Sequence, residues 1–174
     1  MAPFRWGRSV PVADHGDPTA APPVDPDVVE PAPTPLHVRP VAIVAVAVGG
    51  LVGAPARYGL GVAFPQAAGQ WPVTTFAINV AGALLLGVLL EGLTRLGPDT
   101  GWRQRVRLGV GTGVLGSFTT YSTLAVDVDG LLRGHDWWAA CSYAVGSVLA
   151  GLVATVFGIA IGARIPSRRE ENGR

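Results

Sequence analysis

The feature that most constrains this sequence is a set of four long apolar segments that together contain one charged residue, Arg57. A helix needs roughly 18–20 apolar residues to cross the hydrocarbon core of a bilayer, and each segment reaches that length. Charged residues make up only 14% of the chain, well below the roughly 25% of soluble domains. The sequence therefore predicts an all-α integral membrane protein with four transmembrane helices. The segments are Val41–Phe64, Pro72–Leu90, Leu108–Val126 and Trp137–Ala163.

The chain is predicted to divide into a membrane domain and two tails. Residues 1–39 are rich in proline and acidic residues, which favours a disordered cytoplasmic tail. Residues 40–166 form the four-helix transmembrane domain, and residues 167–174 form a cytoplasmic C-terminal tail. The expected spans are about 41–64, 72–92, 106–126 and 137–163.

The placement of arginine predicts the orientation of the spans. All thirteen basic residues are arginine. Eight lie near the membrane on the side of the termini and of the loop between spans 2 and 3, whereas the loops on the opposite side contain only Arg133. By the positive-inside rule, we expect both termini of this multi-pass membrane protein to be cytoplasmic. The eight are Arg39, Arg95, Arg103, Arg105, Arg107, Arg164, Arg168 and Arg169.

The third apolar segment has the composition least typical of a helix. Between Gly111 and Leu124, nine of fourteen residues are glycine, serine or threonine. Glycine disfavours a helix interior, and serine and threonine compete for backbone hydrogen bonds. We expect the helix to break near Gly116–Thr119 in mid-membrane, which requires protein or a polar cavity around it. Freed carbonyls suit a small hard cation and freed N–H groups suit an anion; the alternative is a hydroxyl-rich packing face.

Polar residues within the other spans are candidates for an anion path. Thr75 and Asn79 lie four residues apart, on one face of span 2. Tyr143 and Ser147 begin a similar stripe on span 4. Hydroxyl and amide groups can bind an anion without a fixed charge in the membrane. The alternative for each is a hydrogen bond to a neighbouring helix or to its own helix.

Arg57 lies towards the outer end of span 1, behind Pro55. Two interpretations stay open from the sequence. The side chain either extends along the helix end to reach water, or it is a structural or anion-attracting arginine at a vestibule.

Glycine pairs with small-xxx-small spacing predict close helix packing and oligomerisation. They are Gly49/Gly53, Gly109/Gly113 and Gly158/Gly162.

The sequence argues against an enzyme and against a nucleic-acid partner. Its net charge is +1, without the basic stripe of a nucleic-acid-binding domain. The single cysteine, Cys141, excludes an internal disulfide, and the predicted spans contain no histidine. A four-helix multidrug/proton antiporter is an alternative, but the nearest carboxylates, Glu91 and Asp127, lie at span ends rather than in mid-membrane.

Three stretches, in order along the chain, resemble motifs of the Fluc/CrcB family of fluoride channels. They are Gly50–Tyr58 in span 1, Thr75–Gly82 in span 2 and Gly116–Leu124 in span 3. The resemblance covers about residues 41–163. It implies a fluoride-specific channel for passive efflux across the plasma membrane, which lowers cytoplasmic fluoride and its toxicity.

The resemblance also implies an assembly and a set of site residues. Family members are dimers of two antiparallel subunits, with two fluoride pores and a central structural Na⁺ that is not transported. By this resemblance the backbone carbonyls of Gly116 and Thr119 bind Na⁺, and Arg57 is the vestibule arginine. The implied anion pathway consists of Thr75, Asn79, Tyr121, Ser122, Leu124, Tyr143 and Ser147.

Two residues depart from the family pattern, which has phenylalanine at both aromatic positions of the third motif. Here these positions hold Tyr121 and Leu124. Tyrosine keeps an electropositive ring edge, whereas leucine has none. This departure and the arginine asymmetry favour a heterodimer with a paralogous subunit over a homodimer. A non-conducting assembly subunit is a further alternative.

Overall fold

The computed structural model describes residues 39–67 and 69–167. The predicted N-terminal tail lies outside the described residues except for Arg39, and the predicted C-terminal tail lies outside them except for Ser167. The described chain is helical, without strands, which confirms the predicted all-α class.

Three helices are long and apolar enough to cross a membrane: α1 (Pro40–Ala63), α2 (Val73–Leu96) and α6 (Trp137–Gly162). Pro40 begins α1, where the missing N–H costs nothing. Asp136 caps α6 by accepting a hydrogen bond from the Ala139 N–H at 2.9 Å. Apolar side chains such as Leu51, 75% exposed, and Leu152, 63% exposed, cover the outer surfaces of α1 and α6. Such surfaces suit contact with lipid tails.

The third apolar segment forms several short helical pieces rather than one helix. In chain order they are α3 (Trp102–Val106), a π-helical stretch (Arg107–Leu115), α4 (Gly116–Phe118) and α5 (Tyr121–Arg133). Between α4 and α5 the backbone is extended, with φ −74° and ψ 157° at Thr119 and φ −148° and ψ 125° at Thr120. Helical structure thus begins before and ends after the predicted span 106–126, because its polar flanks also form helix.

Glycines bring the helices together in two pairs, α1 with the π-helical stretch and α2 with α6. A Cβ placed on Gly113 would lie 2.7 Å from the Val46 carbonyl oxygen and 2.8 Å from the Gly49 Cα. A Cβ placed on Gly158 would lie 3.1 Å from the Gly87 Cα. At these distances only glycine allows the backbones to approach so closely. The predicted role of the glycine pairs in close packing is confirmed.

Candidate anion pathway and helix break

Asn79, on α2, hydrogen-bonds the backbone at the break between α4 and α5. Its amide nitrogen donates to the Thr120 carbonyl oxygen at 2.9 Å, and its amide oxygen accepts from the Thr120 N–H at 2.8 Å. In a continuous helix the Thr120 N–H would donate to the Gly116 carbonyl, four residues earlier. The Asn79 side chain takes that N–H instead. It therefore replaces the local helical hydrogen bonding at the break.

Threonine hydroxyl groups hydrogen-bond the backbone on both sides of the break. Thr119 donates from its hydroxyl to the Leu115 carbonyl at 2.9 Å, which ties it to the preceding turn. Thr120 caps α5, because its hydroxyl oxygen accepts from the Thr123 N–H at 3.1 Å. Ser122 is exposed, and its hydroxyl lies 3.2 Å from the hydroxyl of Thr120. Sequence reasoning placed the break near Gly116–Thr119 but did not single out Thr120, although threonine before a helix is a capping signal.

Arg57 contacts the same region from α1. Its Nε donates to the Ser117 carbonyl oxygen at 3.2 Å, and the residue is half-buried. Ser117 itself donates from its hydroxyl to the Gly113 carbonyl at 2.7 Å. Of the two interpretations left open by the sequence, this contact favours a structural arginine over one that only reaches towards water.

A second polar group joins α2, α5 and α6. The hydroxyl of Tyr143, which is fully buried, donates to Asp127 Oδ2 at 3.2 Å. Thr75, on α2, is also buried. One turn further along α6, Ser147 is 6% exposed, and its hydroxyl has no hydrogen-bond partner within the described residues. A buried hydroxyl without a partner costs stability, so this one is available to a ligand.

Aromatic rings surround this second group. The Trp71 ring lies 5.0 Å from Phe76 and 5.2 Å from Tyr143, both in edge-to-face geometry. Leu124 packs against the buried cluster that includes Tyr143. Tyr121, in contrast, is 82% exposed. Trp71 is not among the predicted site residues, because a tryptophan next to a span is equally typical of an anchor at the membrane interface.

Eight of the ten predicted site residues therefore fall into two sets. Four of them lie at the break: Asn79, Gly116, Thr119 and Ser122. Four others lie around the polar group: Thr75, Tyr143, Ser147 and Leu124. Arg57 reaches the break from α1, and Tyr121 begins α5 with its side chain exposed.

The family model described as "CrcB-like protein, Camphor Resistance (CrcB)" matches residues 44–159. The chain belongs to the CrcB family. This match includes each site residue from Arg57 to Ser147, and it confirms the family that the three motifs predicted.

Curated members of the CrcB family are similar over most of the membrane domain. "Fluoride-specific ion channel FluC 3" of Streptomyces avermitilis is 48% identical over 134 residues, which cover 76% of this chain and 64% of that protein. "Fluoride-specific ion channel FluC 2" of Leifsonia xyli is 47% identical over 135 residues, 78% of this chain and 92% of that protein. A FluC protein of Chloroflexus aurantiacus is 41% identical over 69% of this chain and 94% of its own length. The match thus spans less than two thirds of the Streptomyces protein and nearly all of the other two.

Proposed function

We propose that this protein is a fluoride-specific ion channel that lets fluoride leave the cytoplasm passively across the cell membrane. The observation that carries the proposal is the buried Ser147 hydroxyl, which has no hydrogen-bond partner within the described residues. It lies one turn from Tyr143 on α6, a helix apolar enough to span a membrane. The names of the Streptomyces and Leifsonia relatives support the same function.

Passive efflux of fluoride needs hydrogen-bond donors along the path but no energy source. Hydrogen fluoride crosses membranes as the neutral acid and ionises in a near-neutral cytoplasm, which traps fluoride. An inside-negative potential of 100 mV favours exit of the anion by about 2.3 kcal/mol. The hydroxyl groups of Thr75 and Ser147 and the amide of Asn79 replace part of the hydration of fluoride. Tyr143, whose one O–H donates to Asp127, lies beside them in the proposed path. A channel of this kind belongs to a non-enzyme class.

The antiporter alternative is not favoured, because the two carboxylates it would use have other partners. Glu91 accepts from Arg95 at 2.8 Å near the end of α2. Asp127 accepts from Tyr143.

In this proposal the run from α3 to α5 is a fourth span, broken at Thr119–Thr120. Both termini are cytoplasmic, since the loop between α2 and α3 and the end of α6 carry the arginines, whereas Arg133 ends α5 on the other side. A reporter fused after Arg174 should report the cytoplasm in nearly every copy. An equal mixture of orientations would contradict this topology.

The break also suits a structural Na⁺ held by the backbone carbonyls of Gly116 and Thr119. Asn79 takes the N–H that would pair with the Gly116 carbonyl. The Thr119 carbonyl precedes Thr120, the capping residue of α5, and so stands outside that helix's hydrogen bonds. Oxygen ligands suit a hard cation, which would offset repulsion between facing carbonyl dipoles. Replacing sodium with a much larger monovalent cation should weaken assembly or efflux, whereas indifference to the cation would exclude the site.

The assembly in this proposal is an antiparallel dimer, either of identical chains or with a paralogous subunit. Tyr121 is 82% exposed at the start of α5, as expected for a side chain that meets a second subunit or its pore. Leu124 lacks the ring of the family pattern, which favours the heterodimer. Cross-linking in the native membrane should capture the dimer.

The decisive test is ion release from liposomes that contain the purified chain. Fluoride should leave much faster than from protein-free liposomes, and chloride in a matched experiment should not. The measurement is then repeated with the co-expressed paralogue. Fluoride retention in both preparations would contradict the proposal, whereas activity in the second alone would assign this chain to a heterodimer.

A further inference from the structure

We infer that Arg57 is a positioning residue that fixes the last helical turn before the break, not primarily a charge that attracts anions to the channel mouth. The inference rests on the proposed function only where efflux is measured. Its central observation is the hydrogen bond from Arg57 Nε to the Ser117 carbonyl oxygen, at 3.2 Å.

The Ser117 carbonyl needs a donor because the break displaces its helical one. In a continuous helix it would accept from the N–H of Tyr121, four residues later. Here Thr119 and Thr120 are extended, and Tyr121 begins a new helix. A buried carbonyl left without a donor is unfavourable. The guanidinium of Arg57 supplies the donor from another helix.

Gly53 allows helix α1 to bring Arg57 to this position. Gly53 lies one turn before Arg57 and therefore on the same face. A Cβ on Gly53 would collide with the Val114 carbonyl oxygen and the Ser117 hydroxyl. The missing side chain thus allows α1 to approach α4 closely enough for the guanidinium to reach Ser117.

The charge of Arg57 also matches the end of the helical run 102–118. The carbonyl end of a helix carries a partial negative charge, and a cation near it is stabilising. Ser117 lies between Gly116 and Thr119, the two residues proposed to bind Na⁺. Fixing its carbonyl therefore limits where theirs can lie. Asn79 holds the other side of the break, so α1 and α2 fix it together.

The test compares the full-length parent with Arg57→Gln in liposomes by two measurements. The first is amide hydrogen exchange at Thr119 and Thr120, which does not require fluoride conduction. The second is fluoride efflux at about 0.01 M and about 1 M of a salt with an impermeant anion, between which the Debye length falls from about 30 Å to about 3 Å. Sodium is kept constant. Arg95→Gln is the matched control, because its guanidinium pairs with Glu91 on α2.

We expect Arg57→Gln to speed exchange at Thr119 and Thr120 by about tenfold, the effect of losing one charged hydrogen bond. Efflux should fall by a similar factor at both salt concentrations, and Arg95→Gln should change neither measurement. Unchanged exchange, with an efflux defect that disappears at high salt, would overturn the inference in favour of an anion-attracting charge.

Two further outcomes keep the inference separate from the proposed function. If the parent conducts no fluoride either alone or with the co-expressed paralogue, the channel proposal fails, while the exchange measurement still tests Arg57. If Arg57→Gln does not assemble, Arg57→Lys replaces it, because lysine keeps the charge but moves the donor. Faster exchange at the break in this variant supports the positioning role; parent-like exchange and efflux would refute it.

Discussion

The amide of Asn79 and the backbone of Thr120 form a two-bond pair, with a donor and an acceptor on each side at 2.9 and 2.8 Å. A primary amide has two N–H groups, and this pairing uses one of them. In the proposed channel the remaining N–H is free for fluoride. In the proposed channel Asn79 therefore has two roles: it fixes the backbone at the break, and it donates a hydrogen bond to the anion.

Replacing Asn79 with alanine should reduce fluoride efflux by about a hundredfold, since two half-buried backbone groups at Thr120 lose their partners at about 1–3 kcal/mol each. Thr75→Val should do less, because it removes one hydroxyl. Thr94→Val is the control, since Thr94 bonds only within its own helix, to the Leu90 carbonyl. Liposome efflux with a fluoride electrode measures the effect. Parent-like efflux from Asn79→Ala would leave Asn79 as a helix–helix contact alone.

The pair Tyr143 and Asp127 should act as a unit. Tyr143→Phe removes the donor to Asp127, so efflux should fall about tenfold. In a double-mutant cycle with Asp127→Asn, we expect coupling of about 1 kcal/mol, as for residues in one hydrogen-bond network. The control is Tyr58→Phe, on the exposed surface of α1. Strictly additive effects on efflux would show that the two residues work independently.

Ser147→Ala should increase stability but decrease conduction. Removing a buried, unpartnered hydroxyl should raise the free energy of unfolding by about 1 kcal/mol. Efflux should nevertheless fall about tenfold, because the anion loses a donor. Ser142→Ala is the control on the same helix, where the hydroxyl is exposed and bonds the Ala139 carbonyl. Thermal unfolding in detergent and liposome efflux provide the two readouts, and increased stability with unchanged efflux would place Ser147 outside the pathway.

Gly82 and Thr119 offer a paired test of the geometry at the break. A Cβ on Gly82 would collide with the Thr119 methyl group. Gly82→Ala should therefore reduce efflux strongly, and Thr119→Ser should restore much of it, since serine lacks that methyl but keeps the hydroxyl that bonds Leu115. Thr119→Ser alone should be mild. Efflux from the four proteins measures the rescue, and a double variant no better than Gly82→Ala would contradict this contact.

The sequence predicted the long helices well because apolar length is a local property, readable over about twenty residues. Glycine and hydroxyl composition predicted a break near Gly116–Thr119, and the backbone is extended at Thr119 and Thr120. The hydrogen bonds that define the site were not predictable in this way. Arg57 and Ser117 lie 60 positions apart, and Asn79 and Thr120 lie 41 apart. Such pairs depend on how closely α1 and α2 approach the third segment. Glycine packing determines this distance, and the periodicity of the sequence does not reveal it.

Leu124 packs against the buried cluster that includes Tyr143, at the edge of the proposed pathway. Leucine supplies no electropositive ring edge, so fluoride loses one favourable contact in a dehydrated path. Each ~1.4 kcal/mol of added barrier slows passage about tenfold. We therefore expect Leu124→Phe to raise efflux from the chain alone by about that factor. Tyr121→Phe should change little, since tyrosine already has a ring edge.

The experiment compares three preparations in liposomes: the chain alone, Leu124→Phe, and the chain co-expressed with a paralogue that has phenylalanine at both positions. Phenylalanine is larger than leucine, so thermal unfolding must first show that Leu124→Phe is folded. Leu124 is half-buried, which leaves room for adjustment. If the unmodified chain conducts fully and Leu124→Phe adds nothing, the leucine is a tolerated substitution, and two identical chains suffice because Tyr121 and the remaining donors already form a complete path.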